Sequence, residues 1–276
     1  MNYSLPTLKI LPLDKLVLHE EHDMQRTLPL ITKLRAQGIL RNPPVVMPLT
    51  DSSGRFMVLD GANRVTSLKE MEFPHIVAQV VDIDYPHVWL QTWNHVIWGM
   101  KTDLLKEAIE NVNGVHFVKV NTRKSFRAPK YKPLQIRLPD DGFYILDEEP
   151  SSLEIHINTL HQIVNSYKTQ ASLDRTSQTL IDSFRPIYPD LTALVIFPSF
   201  KIRTLLKLTA QQIVLPTGIT RFTVSPRALH LNYPLHELSS GKPTNYKEEY
   251  LKHWIEERVK KKGVRYYAEA TFLYDE

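Results

Sequence analysis

The chain contains no cysteine. That single absence excludes disulfides, Cys-ligated zinc, iron–sulfur clusters and a thiol nucleophile. It also has no 18-residue apolar run, and its N-terminus lacks the charged-then-apolar design of a signal peptide, so a cytoplasmic protein without a membrane partner is expected. An excess of one charge is missing as well: 34 basic residues face 30 acidic ones, for a net charge of +4. With no long basic stripe, nucleic acid is not an expected partner. The patterns G-x-x-x-x-G-K-[ST], G-x-G-x-x-G and G-x-S-x-G do not occur, which leaves P-loop, Rossmann and serine-hydrolase chemistry unsupported.

What is present is an ordinary globular composition, 42% hydrophobic and 23% charged over 276 residues, enough for one large domain or two ordinary ones. The stretch Val58–Met71, VLDGANRVTSLKEM, organises the rest. An apolar run of strand length, Met57-Val58-Leu59, stops at Asp60-Gly61, and the period then changes to that of a helix, with Val65 and Leu68 three apart. Gly61 allows a tight turn and a close approach. The N–H groups of Ala62, Asn63 and Arg64 would point outward at the positive end of the helix dipole, a combination that suits a phosphate. The same residues also read as a plain helix start, with Asp60 as N-cap and Arg64 as a solvated charge.

Before this stretch, Thr7–Val17 is an edge-type strand or strand pair broken by Pro12, and Leu28–Gln37 is a helix stopped by Gly38. Val45–Met47 and Arg55–Asp60 form a hairpin around Asp51–Gly54, and His75–Val81 is a strand. The texture changes after Tyr85-Pro86. Val88–Ile109, rich in Trp and Ile, reads as a long helix whose Trp89, Trp93 and Trp98 pack together. Strands are expected at Val115–Val120, Leu134–Leu146, Thr192–Phe197, Ala228–Leu231 and Gly263–Leu273. Helices are expected at Leu153–Lys168, Ile202–Leu215 and Tyr246–Lys262, with a hydroxyl-rich glycine turn at Thr217–Arg221. No repeat or low-complexity segment is present.

A dense polar knot, His19-Glu20-Glu21-His22-Asp23, supports three readings. His19 and His22 with Glu20 or Glu21 could hold a metal. One carboxylate could be a general base for a hydroxyl attacking phosphorus. Or the knot is a solvated loop. The other histidines show no H-E-x-x-H spacing and read as surface or satisfied core groups.

The blocks LPLDKLVLHE, GILRNPPVV and VLDGANRVTSLKEM, in that order, resemble the N-terminal domain of the ParB/sulfiredoxin superfamily, and within it the free L-serine kinases. Gly218-Ile219-Thr220-Arg221 and Pro226–Leu235 resemble the C-terminal blocks of those kinases. The resemblance implies an α+β fold: a ParB-like nucleotide-binding domain over residues 1–85, and a larger mixed α/β domain over 86–276 that completes the substrate site. It implies transfer of a phosphoryl group from ATP or ADP, with Mg²⁺, to the hydroxyl of L-serine. By position, Glu20 would be the base and Asp60 would assist the phosphoryl centre or its Mg²⁺. Gly61, Ala62, Asn63 and Arg64 would cradle nucleotide phosphates, while Thr220, Arg221 and Trp93 would hold the amino acid. No protein-built metal cage is implied. Two positions depart from the pattern: Asn63 and Phe222 stand where these kinases usually carry His. Sulfiredoxin chemistry needs a cysteine and is excluded. The alternative is a ParB-like nucleotide-binding partition or regulatory protein without kinase activity, although no helix-turn-helix reader follows the first domain.

Overall fold

Proline and glycine set the limits of the first elements. The structure, a computed structural model, describes residues 5–22, 24–119, 133–140, 142–147 and 152–267. Strand β1 (Leu8–Pro12) ends on its proline, a 3₁₀ turn covers Leu13–Lys15, and β2 (Leu16–Leu18) follows. Helix α1 (Met24–Gln37) starts earlier than its apolar spacing predicts, carries Pro29, and stops at Gly38, where φ is +64°. Next come β3 (Ile39–Leu40), β4 (Val45–Pro48), β5 (Phe56–Asp60), α2 (Ala62–Glu70) and β6 (His75–Val80). Strands β4 and β5 form the expected hairpin, held at its turn by Asp51, which accepts hydrogen bonds from the Ser53 N–H (3.0 Å) and from Arg55 (2.8 Å). The five strands lie in the order β1-β6-β4-β5-β2, so the Pro12-broken pair occupies the two edges. Edges are where a missing N–H is tolerated.

The segment expected as one long helix after Tyr85 is instead β7 (Val88–Thr92), β8 (Asn94–Trp98) and the short helix α3 (Thr102–Glu110). Exposure alternates along β7 with the period of a strand, whereas β8 is buried on both faces as a central strand and reads as a continuous apolar run. Gly99, at φ +77°, separates β8 from α3. The three tryptophans therefore do not cluster: Trp89 is exposed on β7, Trp93 sits in the bend, and Trp98 ends β8.

The remaining elements are β9 (His116–Lys119), β10 (Gln135–Arg137), β11 (Phe143–Asp147), α4 (Leu153–Lys168), β12 (Ser172–Thr176), β13 (Leu191–Ile196), α5 (Ile202–Ala210), β14 (Thr220–Val224), β15 (Tyr233–Pro234), α6 (Leu235–Ser239) and α7 (Thr244–Lys260). An antiparallel six-stranded sheet runs β12-β8-β13-β10-β11-β9, while β14 pairs with β7 and β15 with β3. Helix α5 is shorter than expected, since Gln212 adopts φ +62° just beyond it. Residues 228–231 are not a strand. His230 and Asn232 have φ +51° and +52°, and the N–H groups of Ala228 and His230 bond to the side chains of Gln79 and Asn42 instead of a ladder. Residues 263–267 are irregular, and the rest of the strand expected there lies outside the described residues, as do Asp23 and Val120.

The period-2 alternation of β4 and β5 joins two cores. Val45, Met47, Met57 and Leu59 face a core shared with the six-stranded sheet and α4, whereas Val46 and Val58 face one shared with α2, α6 and α7. No described helix is long and apolar enough to cross a membrane.

Lys247 pins the C-terminal helices. Fully buried, its ammonium donates to the carbonyls of Leu238 and Ser240 (both 2.7 Å) and approaches His75 Nδ1 at 3.1 Å. Lys247→Ala removes the donor shared by two carbonyls, and a loss of about 2–4 kcal/mol is expected. Urea unfolding checks this, and an unchanged midpoint would contradict it.

Candidate active site

The turn between β5 and α2 is built for close approach. Gly61 is the residue preceding the helix, with φ +94°, and makes no side-chain cap. A Cβ there would lie 2.8 Å from Pro44 Cβ and 3.0 Å from Pro44 Cα, so both conformation and space demand glycine. The N–H groups of Ala62, Asn63 and Arg64 belong to the first helical turn, which has no intrahelical acceptor for them. Asp60 is not the helix cap. Its Oδ2 instead accepts hydrogen bonds from Arg64 Nη2, at 2.8 Å, and from Arg227 Nη2. Arg64 is further anchored by Nη1 to the carbonyls of Asn42 (2.7 Å) and Pro43 (3.2 Å).

Burial alone would raise the Asp60 carboxyl, but the two guanidiniums outweigh it and hold it below the ordinary 3.8. A depressed carboxyl contributes stability that is present above the unfolded-state value and lost as pH falls through the folded one. The stability gap between the native chain and Asp60→Asn is therefore expected to be full near neutral pH and to close on acidification below about pH 4. Denaturant midpoints measured across that range check the sign; a gap that widens in acid would refute it.

The second half of the site joins chain ends far apart in sequence. Beyond β2 the backbone pairs with Leu215: the Leu215 N–H donates to the His19 carbonyl (2.8 Å) and the Glu21 N–H to the Leu215 carbonyl (2.9 Å). This brings Glu20 under the turn that precedes β14. Its Oε2 accepts from the Gly218 N–H (2.8 Å), and its Oε1 from the N–H groups of Ile219 (3.2 Å) and Thr220 (2.6 Å) and from the Thr220 hydroxyl (2.5 Å). The turn is braced from behind by His95. Burial drives this ring down to a pKa of about 3, so it is neutral: Nε2–H donates to the Gly218 carbonyl (3.3 Å) and Nδ1 accepts from the Tyr167 hydroxyl (2.8 Å).

His19 has both ring nitrogens engaged, Nδ1 with the Val58 carbonyl (2.6 Å) and Nε2 with the Thr220 hydroxyl (2.7 Å). The metal reading of the His19–Asp23 knot is thereby corrected, because neither nitrogen retains a lone pair for a cation and the Glu20 oxygens face N–H donors. Glu21 pairs instead with His161 Nδ1 at 3.3 Å. No group of three His, Asp or Glu side chains among the described residues is arranged to hold a metal.

Every site residue named from the sequence lines one cavity of about 550 Å³: Glu20, Asp60, Gly61, Ala62, Asn63, Arg64, Trp93, Thr220 and Arg221. That volume lies in the range of small-molecule and cofactor sites. The Arg221 guanidinium sits over the Trp93 ring, 4.5 Å from its centroid, and the backbone N–H of Trp93 donates to the Ile219 carbonyl (3.0 Å). The rings of Phe222 and His19 stand perpendicular, with centroids 5.3 Å apart. Sequence reasoning passed over three contributors. Arg227 clamps Asp60; it lies in the Pro226–Leu235 block but carries no local signal of its own. Arg175, on β12, lines the cavity and lies so flat on Gly218 that a Cβ there would be 2.2 Å from its Nε. His95 supports from behind, and no motif marks it.

Fold and site together describe an α+β protein with a cavity that joins the glycine turn at the start of α2 to the half-buried Glu20 carboxylate. No protein-family model matches the chain. Along its full length it is 25% identical to the ATP-dependent L-serine kinase SbnI of Staphylococcus aureus (strain NCTC 8325 / PS 47), over 278 residues that cover 100% of both proteins. The fold is shared with the solved structure of C-terminally truncated SbnI from Staphylococcus aureus, at a TM-score of 0.73 and 22% identity over 91% of this chain and 97% of that one. It is shared too with a free serine kinase in complex with AMP, at a TM-score of 0.68 and 15% identity over 86% and 98%.

Proposed function

We propose that this protein is a kinase of free L-serine, moving a phosphoryl group from ATP or ADP to the serine hydroxyl to give O-phospho-L-serine. The observation that carries the reading is the single cavity. It unites three blocks separated in sequence, Glu20, the Asp60–Arg64 turn and the Thr220-Arg221 turn, in a chain similar end to end to an ATP-dependent L-serine kinase. A nucleotide-binding regulator would have no use for a carboxylate held in the same cavity as the helix start.

The chemistry follows from the geometry. The open N–H groups of α2, with Asn63 as a neutral donor, hold the transferring and adjacent phosphates, where positioning and charge neutralisation do most of the work. Glu20 takes the proton of the serine hydroxyl as its oxygen attacks phosphorus and the bond to the leaving nucleotide breaks. Its Oε2 accepts a single hydrogen bond and keeps capacity for that proton, whereas Oε1 accepts three. Arg221, held flat by Trp93, is the cation for the serine carboxylate. Thr220 serves the acceptor by fixing Glu20.

Mg²⁺ fits this donor set in the manner of an ion carried chiefly by phosphates and water. Both arginines bond to Asp60 Oδ2, which leaves Oδ1 as the protein ligand. When bound, the ion would neutralise phosphate charge. We assign residues 1–85 to the nucleotide side and 86–276 to completion of the acceptor side, and place the protein in the cytoplasm, where both substrates occur.

Purified protein with Mg²⁺, L-serine and either ATP or ADP, followed by ³¹P NMR, is expected to form phosphoserine and to reveal the donor. Glu20→Gln is expected to lower kcat by about 10²–10⁴-fold with nucleotide affinity nearly intact. Surviving turnover would remove Glu20 as the base, and no phosphoserine with either donor would end the kinase reading.

A further inference from the structure

The hydrogen bonds around Thr220 do not balance with ordinary protonation. The Val58 carbonyl can only accept, so the 2.6 Å contact requires a hydrogen on His19 Nδ1. Two further contacts, His19 Nε2 to Thr220 Oγ1 at 2.7 Å and Thr220 Oγ1 to Glu20 Oε1 at 2.5 Å, each need one hydrogen. The threonine hydroxyl supplies only one. The other belongs either to Glu20 or to His19 Nε2. Glu20 already accepts N–H groups from Gly218, Ile219 and Thr220, an arrangement that requires carboxylate lone pairs. The hydrogen therefore lies on Nε2. Both distances also fall where charge-assisted bonds do, roughly 2.7–2.9 Å for a cationic N–H donor and 2.5–2.7 Å for a hydroxyl on a carboxylate.

We infer that His19 is an imidazolium that acts on the base Glu20 through the Thr220 hydroxyl, as a positioning residue for phosphoryl transfer. This rests on the kinase reading. The line Val58 carbonyl, His19, Thr220, Glu20 fixes the carboxylate by Oε1 and turns the less occupied Oε2 into the proton acceptor. Protons balance: the serine O–H breaks and Oε2–H forms, the serine O–P bond forms and the bond to the leaving nucleotide breaks, while His19 keeps its proton throughout. The charged and titratable groups that line the cavity with His19 are Glu20, Glu21 and His22 from its own segment, Asp60 and Arg64 from the β5–α2 turn, Arg175 from β12 and Arg221 from β14. The Phe222 ring stands perpendicular to the His19 ring, with centroids 5.3 Å apart.

If His19 loses its proton, the Thr220 hydroxyl must choose between Nε2 and Oε1, and the carboxylate is released. The wild-type kcat is thus expected to fall on the alkaline side in a one-proton step. In His19→Gln the side-chain amide replaces Nε2 as an uncharged donor with no proton to lose. That variant is expected to lack the alkaline fall while running at least about tenfold slower, short of the roughly 10²–10⁴-fold cost of losing the base. KM for the nucleotide should stay within about twofold, since the change acts on the chemical step. Thr220→Ser keeps the hydroxyl and should retain the alkaline fall; Thr220→Val should lose it. A second readout does not depend on turnover: ring ¹⁵N NMR of the wild-type protein near neutral pH should find hydrogens on both His19 nitrogens. A bare ring nitrogen, an alkaline fall that persists in His19→Gln, or Thr220→Val matching Thr220→Ser would each overturn the inference. A wild-type protein that makes no phosphoserine yet shows a doubly protonated His19 would instead refute the kinase reading and leave the proton assignment standing.

Discussion

Glu20 lies 198 to 200 residues from the N–H groups that hold it, and this contact ties the two ends of the chain into one site. A half-buried carboxylate needs donors, and a tight turn has N–H groups that its own backbone cannot satisfy; each meets the other's requirement. The His19–Leu215 backbone pairing sets the distance, and the His95–Tyr167 bond fixes the face of the turn that presents its amides. A neutral His95 matters here. Burial keeps the ring uncharged, so one nitrogen donates to the Gly218 carbonyl while the other accepts from the tyrosine, and the brace adds no charge behind the cavity.

The opposite wall is organised by charge. Two arginines on one Asp60 oxygen leave a net positive character beside the open N–H groups of α2. Arg64 does not swing freely toward a ligand, because it is fastened to the Asn42 and Pro43 carbonyls as well as to Asp60. Held this way it contributes a fixed local field to the cavity, and under the kinase proposal that field would need no rearrangement on phosphate binding. Arg227 makes this wall depend on the C-terminal part of the chain, just as Glu20 makes the other wall depend on the turn before β14.

The sequence made the local parts of this site readable and hid the long-range ones. Asp60–Arg64 could be recognised because strand, glycine turn and helix start are adjacent, and each has a physical signature. Thr217–Arg221 could be flagged for the same reason. Arg175 could not, since an arginine inside a polar strand looks like a solvated charge until the fold lays it across Gly218. The segment after Tyr85 reads as a helix in sequence because β8, buried on both faces, has the continuous apolar run that a buried helix also has, and periodicity does not separate the two. Residues 228–231 failed differently: side chains of Gln79 and Asn42, both distant in sequence, take up the backbone groups that a ladder would have used.

The two departures from the resembled kinases have different weight in this geometry. Asn63 sits in the first turn of α2, where the backbone N–H groups and the dipole act whatever the side chain, so an uncharged donor changes the site by one contact. Phe222 lies against His19, and there the substitution affects charge. A histidine at that position would place a second ionisable ring against the first, and like charges at ring-contact distance oppose each other. A phenyl ring has no proton to exchange, so it removes that competition. Phe222, where the resembled kinases carry His, is thus compatible with the inferred hydrogen-bond line from Val58 through His19 and Thr220 to Glu20.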